Sequence, residues 1–478
     1  VLEPARHTAQ IAEIAEYAAY AEDAPRARDV DVVVVGAGAA GLAAALHLTR
    51  AGLSTTVLEA APHVGGRMAT EKVDGFRLDR LGRPLSTSYP ELRRTPGLDG
   101  LVLRPFSPGV LLHSDGHHHR AAVPPSAPVV PRSARGALTT ARALASAPRL
   151  SLARPQRAAT RPGPLGGPLD QSRLANALAR IAATPPERLL GRPDVPAARA
   201  LVSHGLPARS VAGFLRPLLA ALLCDPDLKT SNRCADLALH SFATGRLCLP
   251  EGGADALPEL LAAALPPGTV RTGVEVTSVS TTTVTTREHG RIGCRAVLLA
   301  TGARAAAELL PGLRLPAFHP VTVLHHTTDE PPLTEDALLL DADRSGPVAH
   351  TAVVSRIDPT RAPEGRALIS STVLGTPPAA AHLDAAVRGQ LARLYGTSTT
   401  RWELLAVHHD PEAVPAMPSP HDPHRPVRLL AGLYVCGDHR DTSTVQGALH
   451  SARRAAHALL SDLGARPAPL AEPLETAA

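Results

Sequence analysis

The pattern of apolar and polar positions divides this 478-residue chain into stretches with different periods. Val32 to Val35 form an unbroken β-branched run, expected of a strand buried on both faces. An alanine-rich stretch with helical spacing follows and stops at Gly52, with Arg50 in its last turn. Thr55 to Leu58 read as a second strand ending on Glu59. Gly109 to His119 read as a hairpin turning at Asp115-Gly116, and Thr281 to Leu299 as another turning at Glu288-His289-Gly290. Between them, Gln171 to Ala182, Glu187 to Leu190 and a helix pair from Ala197 to Cys224, broken at Gly205, predict a mostly helical region. Val270 to Val279 read as one strand and Arg295 to Ala300 as another, buried. After residue 303, strand-like runs (Val321 to Thr327, Val348 to Val354, Ala367 to Val373) alternate with a helix at Ala379 to Tyr395. A short strand reaches Gly437-Asp438, and a last helix covers Gly447 to Leu463.

The first of these units carries the chemistry. Gly36, Gly38 and Gly41 stand at G-x-G-x-x-G spacing between strand and helix, and Glu59 closes the second strand. This β-α-β context is what a dinucleotide fingerprint requires. Gly36 permits the turn, Gly38 lets a pyrophosphate approach the backbone, and Gly41 lets the helix pack on the sheet. Ala39 and Ala40 open that helix, whose free N–H groups and dipole favour phosphate. Glu59 can accept from ribose hydroxyls. On these residues alone both NAD and FAD remain open.

Composition adds boundaries. The chain is long enough for two domains. Its net charge of +5 is small and not concentrated in one run, and aromatic residues are 2%. Single-stranded nucleic-acid binding would want interleaved aromatics, so no nucleic-acid partner is expected. Five cysteines, odd in number and without a C-x-x-C pair, argue against a disulfide framework or a zinc site and fit a reducing cytoplasm. No metal site is expected: His117, His118 and His119 read as a solvated turn. The longest apolar run contains the fingerprint and is not read as a transmembrane segment, which leaves peripheral membrane contact open. Residues 1–28 lack the apolar core of a secretory signal, and Ile11 to Ala21 could form a short helix.

Motifs beyond Glu59 narrow the choice of nucleotide. Ala60 leads into Gly65-Gly66-Arg67. Asp74-Gly75-Phe76 with Leu78-Asp79, Leu249-Pro250-Glu251-Gly252-Gly253, Ala300-Thr301-Gly302, Gly432 to Asp438 and Gln446-Gly447-Ala448 follow in order. Together these resemble the flavin-containing amine oxidase superfamily, nearest to its protoporphyrinogen oxidase-like and phytoene desaturase-like members. The resemblance covers roughly residues 30–90, 205–302 and 430–462. It departs at Leu81-Gly82, where the family has its glycine one position earlier.

The resemblance implies an α/β protein with a Rossmann-type FAD-binding domain assembled from residues 30–105, 236–302 and 426–464. Residues 106–235 and 303–425 would form a mixed α+β substrate domain, flanked by a 1–29 extension and a disordered 465–478 tail. It implies FAD contacts from Gly36, Gly38, Ala39, Ala40, Gly41, Glu59 and Ala60. Further contacts would come from Gly65, Gly66, Arg67, Val276, Thr301, Gly302, Gly437, Asp438, Val445, Gln446 and Ala448. Arg67 would meet phosphate, Asp438 the ribityl or phosphate side, and Val276 the adenine. The implied activity is hydride transfer from a small or isoprenoid-like substrate to flavin N5, with O2 or another partner as electron acceptor.

No catalytic residue is assigned. His325 and His326 could stand near the flavin, but a core or sheet-surface role suits them better. Cys436 reads as a core residue. Amine oxidases of the superfamily commonly use a lysine and an aromatic cage. This chain offers only Lys72 and Lys229, with Phe318, Tyr395 and Trp402 as cage candidates. Amine oxidation therefore ranks second, and an FAD-bearing isomerase or binding protein third.

Overall fold

A computed structural model describes residues 30–122, 163–203, 205–377 and 380–468. The 1–29 extension, with its expected helix, lies outside the described residues. So do residues 123–162 and the tail beyond 468.

Strand β1 (Val30–Val35), helix α1 (Ala39–Arg50) and strand β2 (Thr55–Glu59) form the expected unit. β1 lies between β2 and Arg291–Leu299 and is parallel to both, with Val32 to Val35 facing Thr55 to Leu58 on one side and Ala296 to Leu299 on the other. Val32 to Val34 are fully buried, as a parallel strand covered on both faces requires. Leu433–Val435 adds to Arg291–Leu299, and Val270–Thr272 adds to β2, both parallel. The sheet thus draws strands from distant parts of the chain. The expected 270–279 strand is two pieces: Gly273 takes φ +71°, and Val276–Val279 then pairs antiparallel with Thr283–Thr286. Alanines let two helices lie close over this sheet. Ala44 and Ala45 of α1 share one core with Ala452, Ala455 and Ala456 of the closing helix, Val445–Asp462.

The second sheet has seven strands, in the order Glu403–Pro415, Phe318–Thr328, Ala367–Leu374, Val348–Val353, Leu339–Asp341, Val110–Ser114, His117–Ala121. The helix Ala380–Tyr395 covers one face, packing Leu383, Val387, Leu391 and Leu394 on Leu324, Leu339 and Ile369. The other face meets the helical region through Leu112, Leu340 and Leu368, packed with Phe214, Leu218 and Leu239. The Asp115-Gly116 turn is built as expected, with φ +50° and +75°. The strand Glu403–Pro415 was not foreseen. It is an edge strand, where Pro411 and the exposed polar positions cost little, so it lacks the apolar alternation that marks a covered strand. Helix Asn232–Thr244 spans residue 236 and sends Cys234, Ala235, Leu239 and Phe242 into the helical core.

Among the described residues, no helix is long and apolar enough to cross a membrane.

Candidate functional site

A cavity of about 1600 Å³ runs from the end of β1 to the helical region. Of the residues singled out in the sequence for a cofactor, all but Gly41 line it. Gly41 lies behind the wall. A Cβ there would stand 1.9 Å from the Gly36 carbonyl oxygen, so α1 can seat on the turn only with glycine. Gly36 takes φ +104° and lies 3.0 Å, measured from an added Cβ, from the Ala300 carbonyl. Gly38 differs: an added Cβ would meet no protein atom within 4 Å. Packing does not account for that glycine, and the space it leaves clear belongs to the cavity.

The Gly65-Gly66 loop docks on the fingerprint loop. Gly65 donates its amide to Ala37 O at 2.9 Å, and a Cβ on Gly66 would stand 3.8 Å from Gly38 Cα. Glu59 holds the same turn from the other side, accepting from the amides of Ala37 (2.7 Å) and Ala61 (2.9 Å). Each carboxylate oxygen keeps acceptor capacity toward the cavity.

Arg67 and Asp438 meet as a fork. Arg67 Nη1 donates to Asp438 Oδ2 at 2.8 Å and Nη2 to Oδ1 at 2.6 Å, while Nη1 also reaches the Ala413 carbonyl at 2.9 Å. Burial pushes the Asp438 carboxyl up, but the Arg67 charge and hydrogen bonds outweigh it and hold the group below its ordinary value. The guanidinium expected against phosphate is thus already committed to a carboxylate.

The closing helix starts at the cavity wall. Thr444 Oγ1 caps it, accepting from the Gly447 amide at 3.1 Å. No acidic residue occupies its first turn, so the positive end of its dipole is not answered there by the chain's own carboxylates. Val445, Gln446 and Ala448 line the cavity. Gln446 Oε1 also accepts from the Glu91 amide at 3.0 Å, tying this helix to the segment that forms the cavity floor.

Leu81 to Pro84 line the cavity too. Gly82 takes φ +59°. Arg83, given no role from the sequence alone, donates to the Ser443 and Leu222 carbonyls, both at 2.8 Å, and bridges the capping loop to the helical region. The inner end is mostly apolar: Leu222, Leu223, Leu237, Phe242, Phe318 and Met417. His240, Glu187, Asp441 and His450 also line the wall. Asp441 accepts from His450 Nδ1 at 2.8 Å and Arg454 Nη1 at 3.3 Å. No spacing in the sequence marked these groups. They converge only once the helical region folds over the sheet.

The residues held back as chemistry candidates fall elsewhere. His325 is buried between Ser370 Oγ (2.8 Å) and the Asp79 carbonyl (3.1 Å), and burial pushes its pKa down to about 3. His326 meets Asp384 Oδ1 at 2.9 Å beside Trp402. Neither lines the cavity. Cys436 is fully buried in the core. Tyr395 and Trp402 pack together beneath the second sheet, so of the three cage candidates only Phe318 reaches the cavity. Lys72 lies on a surface strand, and Lys229 pairs with Asp227 at 3.0 Å, largely in solvent.

A family model described as flavin containing amine oxidoreductase matches residues 39–460. Putrescine oxidase of Kocuria rosea is 52% identical over 62 residues, 13% of this chain and 13% of its own. Phytoene dehydrogenase of Streptomyces griseus is 40% identical over 109 residues, 19% of this chain and 21% of its own. The chain thus matches only a small share of these curated relatives' length. The solved structure of an oxidoreductase from Methanosarcina mazei superposes with a TM-score of 0.63, covering 89% of this chain and 99% of its own at 18% identity, a likeness of fold.

Proposed function

The chain belongs to the flavin containing amine oxidoreductase family, and from that premise we propose that it is an FAD-dependent oxidoreductase acting on an apolar small molecule, alicyclic or isoprenoid-like. Bound FAD supplies the two-electron acceptor, which O2 or another partner reoxidises. The residues present fit that cofactor. Gly38 keeps clear a space that packing leaves open, the Gly65-Gly66 backbone lies alongside it, and the Arg67–Asp438 fork lies farther along the same wall. On this reading Gly36, Gly38 to Ala40, Glu59, Ala60, Gly65 to Arg67, Val276, Thr301 and Gly302 hold the nucleotide half. Gly437, Asp438, Val445, Gln446 and Ala448 hold the flavin half, where the uncompensated helix N-terminus favours negative charge.

The substrate reading rests on the inner end of the cavity. Its wall is mostly leucine, phenylalanine and methionine, and neither lysine of the chain lines it. An apolar molecule gains there by leaving water. Glu187 and Asp441 give the amine reading its own support, since a carboxylate in the wall can meet an ammonium group. Five cysteines, none in a disulfide, fit a reducing compartment such as the cytoplasm.

Anaerobic titration of the flavin-loaded protein tests these readings. Alicyclic and isoprenoid compounds are expected to bleach the flavin band, and an amine panel to leave it oxidised. Bleaching by amines, with peroxide released on admitting air, would replace the proposal with amine oxidation. Bleaching by neither panel would favour a non-oxidative FAD protein.

A further inference from the structure

A second cluster of polar groups lies away from the cavity, in the seven-stranded sheet. Val110–Ser114 and Leu339–Asp341 run parallel, with Asp341 opposite His113. Leu111 and Leu339 enter the core beneath helix Ala380–Tyr395, and strand alternation sends His113 and Asp341 to the same face. The chain then turns through Asp343, whose carboxylate accepts from Ser114 Oγ (2.8 Å) and the Asp115 amide (2.9 Å). One ligand atom from each of His113, Asp341 and Asp343 lies within 4.8 Å of the other two.

His113 has no hydrogen-bond partner. It is 7% exposed, and among the described residues neither ring nitrogen has a hydrogen bond. Leaving a buried polar group without a hydrogen bond is costly to the fold. Among the described residues, the carboxylates are hydrogen-bonded but not paired with a positive charge. Asp341 Oδ1 accepts from the Asp343 amide at 3.0 Å. Its Oδ2 accepts from the Ser345 amide and hydroxyl, both at 2.8 Å, and from Gln390 Nε2 at 2.6 Å. All these donors are neutral. Arg393 directs its guanidinium to the Gly389 and Ser345 carbonyls, both at 3.1 Å.

We propose that His113, Asp341 and Asp343 bind a divalent transition-metal cation, Zn2+ by preference, which ties the Val110–Ala121 hairpin to the turn after Asp341. Imidazole nitrogen and carboxylate oxygen are both zinc ligands, and the nitrogen disfavours Mg2+ and Ca2+. Water or the Ser345 hydroxyl completes the coordination. Zinc–ligand distances of about 2.0–2.2 Å require the three atoms to draw together on binding. Asp343 is exposed, which gives the ion a way in. The site uses none of the five cysteines, so cysteine spacing carries no sign of it. The His424, Asp441 and His450 cluster in the cavity wall is a weaker candidate, because Arg454 already donates to Asp441 there.

Tag-free, flavin-loaded protein, stripped with a chelator and dialysed, is titrated with zinc chloride by calorimetry. The expected result is saturable uptake of about one Zn2+ at this site, a raised thermal midpoint, and no displacement by excess Mg2+. Asp343→Asn, at an exposed position, is expected to lower that affinity at least about tenfold with the flavin spectrum unchanged. His113→Gln is expected to do the same, and if that buried change prevents folding, Asp343→Asn alone decides. The His424 cluster is intact in both variants, so any zinc it holds cancels in the comparison. Absence of saturable uptake, uptake by Asp343→Asn with wild-type affinity, or displacement by Mg2+ would each overturn the assignment.

Discussion

Glu91 and Arg453 form a bidentate ion pair under the closing helix, with Arg453 Nε to Glu91 Oε2 at 2.9 Å and Nη2 to Oε1 at 2.8 Å. Glu91 is fully buried. With the Gln446–Glu91 amide contact, the pair fixes where the closing helix begins relative to the cavity floor. Arg453→Met would leave the buried carboxylate only its longer Arg94 contact, at 3.7 Å. Removing one member of such a pair costs about 3–5 kcal/mol. Urea unfolding at pH 7 should show a loss of that order. Burial raises the Glu91 carboxyl, but the Arg453 hydrogen bonds and charge bring it below the ordinary 4.5. A depressed carboxyl gives stability that is present above 4.5 and is lost as pH falls through the folded value. The gap between wild type and Glu91→Gln should therefore close in acid.

Gly38 and Gly41 should separate cofactor binding from folding. Gly41→Ala puts a methyl group 1.9 Å from the Gly36 oxygen and should unfold or misassemble the first unit. Gly38→Ala meets no protein atom. Its thermal midpoint without FAD should match wild type within a degree or two, while flavin retention falls sharply. Equal FAD retention by Gly38→Ala and wild type would remove the fingerprint from the cofactor site.

Five buried histidines should make the protein sensitive to mild acid. Burial pushes His47, His350, His421 and His439 down to about 4, and His325 to about 3. Between 6.5 and those values the unfolded chain takes up protons that the folded chain refuses, so stability falls as pH falls. Each contributes a slope of roughly 1.4 kcal/mol per pH unit. Urea midpoints measured from pH 7 to pH 5 should drop steeply, and His325→Asn should flatten the dependence by one histidine's share.

Asp438→Asn keeps the size of the side chain but removes the charge that Arg67 grips in two hydrogen bonds. If this fork orders the cofactor wall, FAD dissociation should strengthen by about tenfold or more, the scale of a lost charged hydrogen bond. Flavin fluorescence during dilution measures it directly. An unchanged dissociation constant would confine the fork to a structural role.

The first β-α-β unit was legible because its rules are local: a β-branched run, glycines spaced for a turn, a close phosphate approach and a close helix, and an acid at the next strand end. Gly65 to Arg67 and Gly437 to Ala448 were legible by motif, and the fold brings both stretches to one cavity. The strand at residues 403–415 was not, because an edge position does not demand apolar alternation. Arg83 and His240 were missed for a different reason. Their roles depend on which carbonyls and walls arrive beside them from the helical region, and no spacing within their own segments encodes that. The pairing of Arg67 with Asp438, far apart in the chain, was invisible for the same reason, though each residue had been singled out alone.

The strand order of the first sheet also sets a timetable for synthesis. β1 and β2 emerge early, but β1 lacks its second neighbour until residues 291–299 are made, and that strand waits in turn for residues 433–435. A nascent chain therefore holds an apolar strand edge without its partner until residues 291–299 are made, a condition that invites aggregation and makes folding slow. The wall that carries Gly437 to Ala448 forms after every other wall of the cavity. A cofactor that needs every wall therefore cannot load until residues 437–448 have been made.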